Sequence, residues 1–216
     1  MIYRSKAPLR IGLAGGGTDV SPYSDQFGGA ILNATISLSA YAAIETLPEN
    51  KIIVEALDRD EQQSFDLLNV LPIDGTLDLL KGVYNRIQKD YDPPVKGFRL
   101  STFVDAPAGS GLGTSSTLVV AVLGAFKEML KLPLDEYKIA QYAYDIERND
   151  LQLAGGKQDQ YAATFGGVNF MEFYADDKVI VNPLRIRPEY MHELGNNLVL
   201  YFTASSRESA HIIKEQ

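Results

Sequence analysis

Three glycines at alternate positions, Gly109, Gly111 and Gly113, stand between an alternating apolar stretch, FRLSTFVD, and a run with apolar residues at 118, 119, 122, 123, 126 and 130. Glycine loses more freedom on ordering than any other residue, so a loop this rich in it needs a physical use. The flanks predict a strand, then a tight loop, then a helix with a wide buried face that Pro133 ends and that Ser115 or Ser116 caps. Backbone N–H groups and a helix start converge in such an arrangement and favour an anion there. No lysine follows the glycines as in the common P-loop, and the third glycine is misplaced for a dinucleotide fingerprint. Taken alone, the stretch reads equally well as an ordinary strand-to-helix turn.

Four further glycine groups, at 12–17, 28–29, 155–156 and 166–167, are each flanked by periodic apolar sequence. They predict several tight loops that could meet at one site. AILNATISLSAYAAIETL, KIIVEAL, FRLSTFVD and GVNFMEFY alternate and carry β-branched residues, which predicts strands. LDLLKGVYNRIQKDY has helical spacing, and LDEYKIAQYAYDIERND predicts a helix capped by Asp135 with Ile139, Tyr142, Ala143 and Ile146 on one face. Glu147 falls beside that face. The coarse reading is therefore mixed, with both helices and strands.

The 216 residues suffice for one sizeable core or one domain plus part of a second, and no apolar run is long enough for a membrane helix. No signal-peptide pattern opens the chain and no cysteine is present, so cytoplasm is the default compartment, without disulfides or thiolate chemistry. A net charge of −8 disfavours nucleic-acid partners, although a small anion can still be held by local N–H groups. The two histidines, His192 and His211, lie in no motif, which leaves acid-base work to carboxylates.

The stretch Pro107-Ala108-Gly109-Ser110-Gly111-Leu112-Gly113-Thr114-Ser115, continuing to Ser116, resembles the ATP-binding motif of the GHMP kinases, with Thr114 in place of a serine. APLRIGLAGGGTDV resembles that family's acceptor motif, and IERNDLQLAGGKQDQYAATFGG the segment carrying its acidic pair. The resemblance implies ATP on Pro107, Gly109, Ser110, Gly111, Leu112, Gly113, Thr114, Ser115 and Ser116, Mg²⁺ on Ser115 and Glu147, and an acceptor among Arg10, Gly16, Gly17, Thr18, Asp19 and Asp159. Asp159 would take the proton of the attacking hydroxyl or orient it, with Arg10 steadying the developing charge. Considered singly, Glu147 beside Arg148 reads as a solvated surface pair, and Asp159 as a cap of the short QDQYAATF helix.

Within the family, these stretches are most similar to kinases that phosphorylate the anomeric hydroxyl of D-glycero-D-manno-heptose 7-phosphate to the 1,7-bisphosphate. A fucokinase-like sugar kinase is the alternative, and a non-catalytic sugar-phosphate or nucleotide sensor on the same scaffold is another. The resemblance also implies an α+β, ribosomal-protein-like N-terminal domain with a left-handed β-α-β crossover over residues 1–190. Residues 191–216 would open a truncated ferredoxin-like domain, leaving an unpaired edge at VLYF, homo-oligomers and weak or no turnover as expectations.

Overall fold

The computed structural model describes residues 1–94, 96–199 and 201. Residues Ile2–Ala14 form β1, a strand that alternation does not reveal because Pro8 and the following glycines interrupt it. Its register against the next strand shifts between Pro8 and Arg10, and among the described residues it pairs on one side only. A proline without an N–H is tolerated on such an edge.

After a short α1 (Tyr23–Phe27) comes β2 (Gly29–Thr46), the backbone of a seven-stranded sheet. The hairpin β3 (Lys51–Ala56) and β4 (Glu61–Asp66) leads to α2 (Asp78–Tyr91) and β5 (Phe98–Val104). β3 and β5 run parallel, Ile52 opposite Phe98, so α2 belongs to the crossover between them. Then come α3 (Thr114–Leu130), α4 (Glu136–Asp145) and a π turn (Ile146–Asp150). The chain continues through α5 (Gln158–Phe165), β6 (Val168–Phe173), β7 (Val179–Pro183) and α6 (Pro188–Asn197).

β2 is antiparallel to β1 along one edge, while β5 takes residues 40–46 and β6 residues 29–34 of its other edge. α3 packs on β1 and β2 with Val119, Ala121, Val122, Leu123, Ala125 and Phe126 buried. Small residues on the strands, Ala7, Ala40 and Ala42, let it approach, and a methyl at Gly124 would lie 2.3 Å from the Ser5 hydroxyl. Each large apolar side chain buried here contributes about 1.5–3 kcal/mol relative to exposure. Tyr84, Phe98 and Phe126, with ring centroids 5.5 to 6.3 Å apart, join α2, β5 and α3 on the far side of the core.

Two boundaries differ from expectation. α3 starts at Thr114 with Gly113 at its N-cap in the left-handed conformation, so neither Ser115 nor Ser116 caps it. The expected helix over 135–150 is capped by Asp135, whose carboxylate accepts the Lys138 N–H at 2.8 Å, but it widens at Ile146. No described helix is long and apolar enough to cross a membrane. The expected C-terminal segment contributes the end of α6, and the strand and helix expected beyond it fall for the most part outside the described residues.

Candidate active site

The loops gathered by this topology surround a cleft of about 430 Å³. One wall is the glycine loop. Gly109, Gly111 and Gly113 have φ of 75°, 77° and 76°, a region that side chains with a Cβ adopt only at a cost. All three line the cleft with Thr114, Ser115 and Ser116 from the first turn of α3. Among the described residues no side chain caps that turn, so its N–H groups remain available to an anion. Pro107, Ser110 and Leu112 stand behind the wall: the Pro107 carbonyl accepts the Ser110 N–H, and the Leu112 carbonyl accepts the Arg10 N–H at 3.2 Å.

β1 and α5 bring Arg10 and Asp159 together across this wall. Arg10 donates from Nε to Asp159 Oδ1 at 2.6 Å, its Nη2 is equally close, and Nη1 donates to the Gly111 carbonyl at 2.7 Å. Both contacts to the carboxylate use Oδ1. Oδ2 lies over Gly113, where a methyl would come within 3.2 Å of it. Gly113 is thus fixed twice, by its φ and by the carboxylate above it.

Gly16, Gly17 and Asp19 line the same cleft. Asp19 is buried, and its Oδ2 accepts the Gln158 N–H at 2.8 Å, so a residue from the β1–α1 loop caps the start of α5. Burial pushes its carboxyl above the ordinary value, and the Gln158 N–H pulls it back. Thr18 differs from expectation: its hydroxyl donates to the Gly15 carbonyl at 2.7 Å and accepts the Ala30 N–H at 3.1 Å, which commits it to the loop. Thr18 does not line the cleft.

Glu147 is 1% exposed, so the surface-pair reading fails. The π turn closes a wider ring, Leu151 N–H to the Ile146 carbonyl at 2.9 Å, and faces the consecutive residues Ile146 and Glu147 inward. Burial raises the Glu147 carboxyl, opposed by the Arg148 charge and by the hydroxyl of Ser116 and amide of Gln160. Gln160 Nε2 donates to Glu147 Oε2 at 2.6 Å and to the Ser116 hydroxyl at 3.1 Å, while its own Oε1 is buried without a partner. Ser116 rather than Ser115 therefore lies against Glu147, and Ser115 stays exposed on the cleft wall.

Sequence reasoning missed Gln160, which no spacing rule marks, and passed over Arg148, Gly156 and Gln158 as cleft residues. Gly156 had a visible signal in its glycine pair. A methyl there would lie 2.0 Å from Asp19 Oδ2, so only glycine lets the two loops close on each other.

Residues 78–167 match the family described as GHMP kinases N terminal domain. The chain is 52% identical over 209 residues to the D-glycero-alpha-D-manno-heptose 7-phosphate kinase of Campylobacter jejuni, covering 97% of itself and 62% of that relative. It is 28% identical to the L-fucokinase/L-fucose-1-P guanylyltransferase of Bacteroides fragilis, covering 97% of itself and 25% of that protein. The crystal structure of a D-glycero-D-manno-heptose 1-phosphate kinase from Bacteroides thetaiotaomicron superposes with a TM-score of 0.91 at 56% identity, covering all of this chain and 70% of that one. The chain thus spans a little under two thirds of the Campylobacter relative's length.

Proposed function

The chain belongs to the GHMP kinase family, and on that premise we propose that it transfers the terminal phosphoryl group of ATP to the anomeric hydroxyl of D-glycero-D-manno-heptose 7-phosphate, giving the 1,7-bisphosphate. The observation that carries this reading is the Arg10–Asp159 pair set over Gly113, at the start of a helix whose first turn no side chain caps. Phosphates held by the N–H groups of residues 113–116 end next to Asp159 Oδ2, the oxygen that Arg10 leaves open. An acceptor hydroxyl between them is oriented by Oδ2 and gives up its proton there as its oxygen bonds to the terminal phosphorus and the bond from that phosphorus to the bridging oxygen breaks, releasing ADP. Arg10 faces the charge that develops on the transferred group, and phosphoryl transfer depends mainly on such positioning and electrostatics.

Glu147, with the hydroxyls of Ser115 and Ser116, would hold Mg²⁺. Their donors are all oxygens, and the buried Glu147 carboxyl favours a cation beside it. Mg²⁺ suits one or two carboxylates completed by substrate phosphates, and when bound it neutralises phosphate charge. Among the described residues no three His, Asp or Glu side chains form a cage, which such a site does not require.

Family membership further supports residues 1–190 as the domain for ATP and acceptor, with a left-handed β3-to-β5 crossover, and residues 191–216 as the opening of a ferredoxin-like domain. The test is a panel of heptose 7-phosphate, heptose 1-phosphate, fucose and galactose with ATP and Mg²⁺, reading ADP release and the position of the new phosphate by NMR. The two heptose kinase relatives are named for different phosphate positions, and the panel separates those as well. Turnover on fucose with none on heptose 7-phosphate would sink the proposal.

A further inference from the structure

Among the described residues two arginines line the cleft, and one of them has its hydrogen bonds fully placed. Arg10 spends its guanidinium on Asp159 and the Gly111 carbonyl at 2.6 and 2.7 Å. Arg148 is nearly as buried, its side chain 13% exposed, yet its contacts are slack. Nη1 reaches the Leu153 carbonyl at 3.4 Å and Nη2 the Gly156 carbonyl at 3.3 Å, while Nε is buried without a partner. The Glu147 carboxylate faces it with Oε1 at 3.9 Å, beyond hydrogen-bond reach, while its Oε2 takes the Gln160 amide. A guanidinium carries five N–H donors, and burying its charge with so few good partners is costly unless an anion completes the set.

The location narrows which anion. Gly155 and Gly156 let bare backbone lie against the guanidinium, since a methyl at Gly155 would fall 2.3 Å from Nη2. Through Gly156 the same loop abuts Asp19, which brings Arg148 to the acceptor loop, while the Glu147 carboxylate that also faces Ser116 lies 3.9 Å from it. Among the described residues, the other cations near these elements lie outside the cleft lining. Lys157 is buried against Asp177 at 2.7 Å, Lys6 lies over the Tyr41 ring, and neither lines the cleft.

We propose that Arg148 binds the phosphate group that the acceptor sugar already carries. The assignment rests on the kinase reading above and deepens it: a planar fork that meets phosphate oxygens in pairs selects a sugar phosphate over the free sugar.

Calorimetric titration of the full chain tests it, with wild type, Arg148→Gln and Arg148→Lys each given heptose 7-phosphate, unphosphorylated heptose and a non-hydrolysable ATP analogue. Arg148→Gln is expected to weaken heptose 7-phosphate about 100-fold and to leave free heptose and the ATP analogue within about 3-fold. Arg148→Lys, which keeps the charge and loses the fork, should fall between and serves if the glutamine variant does not fold. Loss of the ATP analogue in place of the sugar phosphate would assign Arg148 to the nucleotide and overturn the inference. Equal loss of free heptose, or unchanged heptose 7-phosphate binding, would overturn it as well. If wild type takes the ATP analogue but no sugar phosphate, the acceptor assignment itself falls and this inference with it.

Discussion

Gly156→Ala tests how the acceptor loop and α5 are held together. The added methyl would lie 2.0 Å from Asp19 Oδ2 and 2.5 Å from its Cγ, more than 1 Å inside an ordinary contact. Asp19 is 6% exposed and cannot swing into water without giving up the Gln158 N–H at 2.8 Å. A hydrogen bond to a charged group contributes about 1.5–3 kcal/mol, and overpacking a buried site costs about 1–3 kcal/mol more. A loss of about 3–5 kcal/mol follows, which for a domain of this size lowers Tm by roughly 10 °C. Because Asp159 lies in the first turn that Asp19 caps, a shift of about 1 Å there should also cut turnover about 100-fold.

The control is Gly16→Ala. Nothing lies within 4 Å of a methyl at position 16, and stability should stay within about 0.5 kcal/mol of wild type. The decisive measurement is a double-mutant cycle by chemical denaturation. In an Asp19→Ala background the clash has no partner, and Gly156→Ala should cost no more than about 1 kcal/mol, giving a coupling of about 2 kcal/mol or more. Strict additivity, or a Gly156→Ala single mutant as stable as wild type, would refute the reasoning.

Asp159→Asn should lower turnover by about 100- to 10,000-fold while nucleotide affinity, followed by fluorescent-analogue titration, changes less than about 3-fold. Arg10→Lys keeps the charge but cannot serve Asp159 and the Gly111 carbonyl together, so turnover should drop at least about 10-fold in a steady-state assay. For Glu147→Gln the sign depends on pH. Burial raises the Glu147 carboxyl above 4.5, so the stability that accompanies its proton is complete below the ordinary glutamate range and lost as pH rises through the raised value. In the absence of Mg²⁺ the glutamine variant should therefore be more stable than wild type at pH 8 and lose that advantage by about pH 4 in denaturant melts. The same variant should lose the Mg²⁺ dependence of nucleotide binding.

How much of this was legible beforehand depended on whether the signal was local. The alternating stretches around Asn33, Val54 and Leu100 became β2, β3 and β5, and Asp135 capped α4 as its spacing indicates. β1 escaped because an edge strand can carry a proline and a register shift, which erase alternation without breaking the pairing. α3 began before its serines because three left-handed glycines carry the chain straight into the helix with no need of a side-chain cap.

The sequence by itself determined the chemistry available: an anion-binding loop, two acids and an arginine, in an order that resembles one kinase family. Only tertiary structure decided how they are divided. Asp19 and Gln158 are 139 residues apart and Gln160 and Ser116 are 44, so no helical or strand period could announce their bonds. The burial of Glu147 came from one widened turn, and the slack bonding of Arg148 from two glycines packed against it. Charge, hydroxyl and backbone freedom are properties of single residues and can be read in a line. Desolvation and hydrogen-bond satisfaction are properties of neighbourhoods, which exist only once the chain has folded.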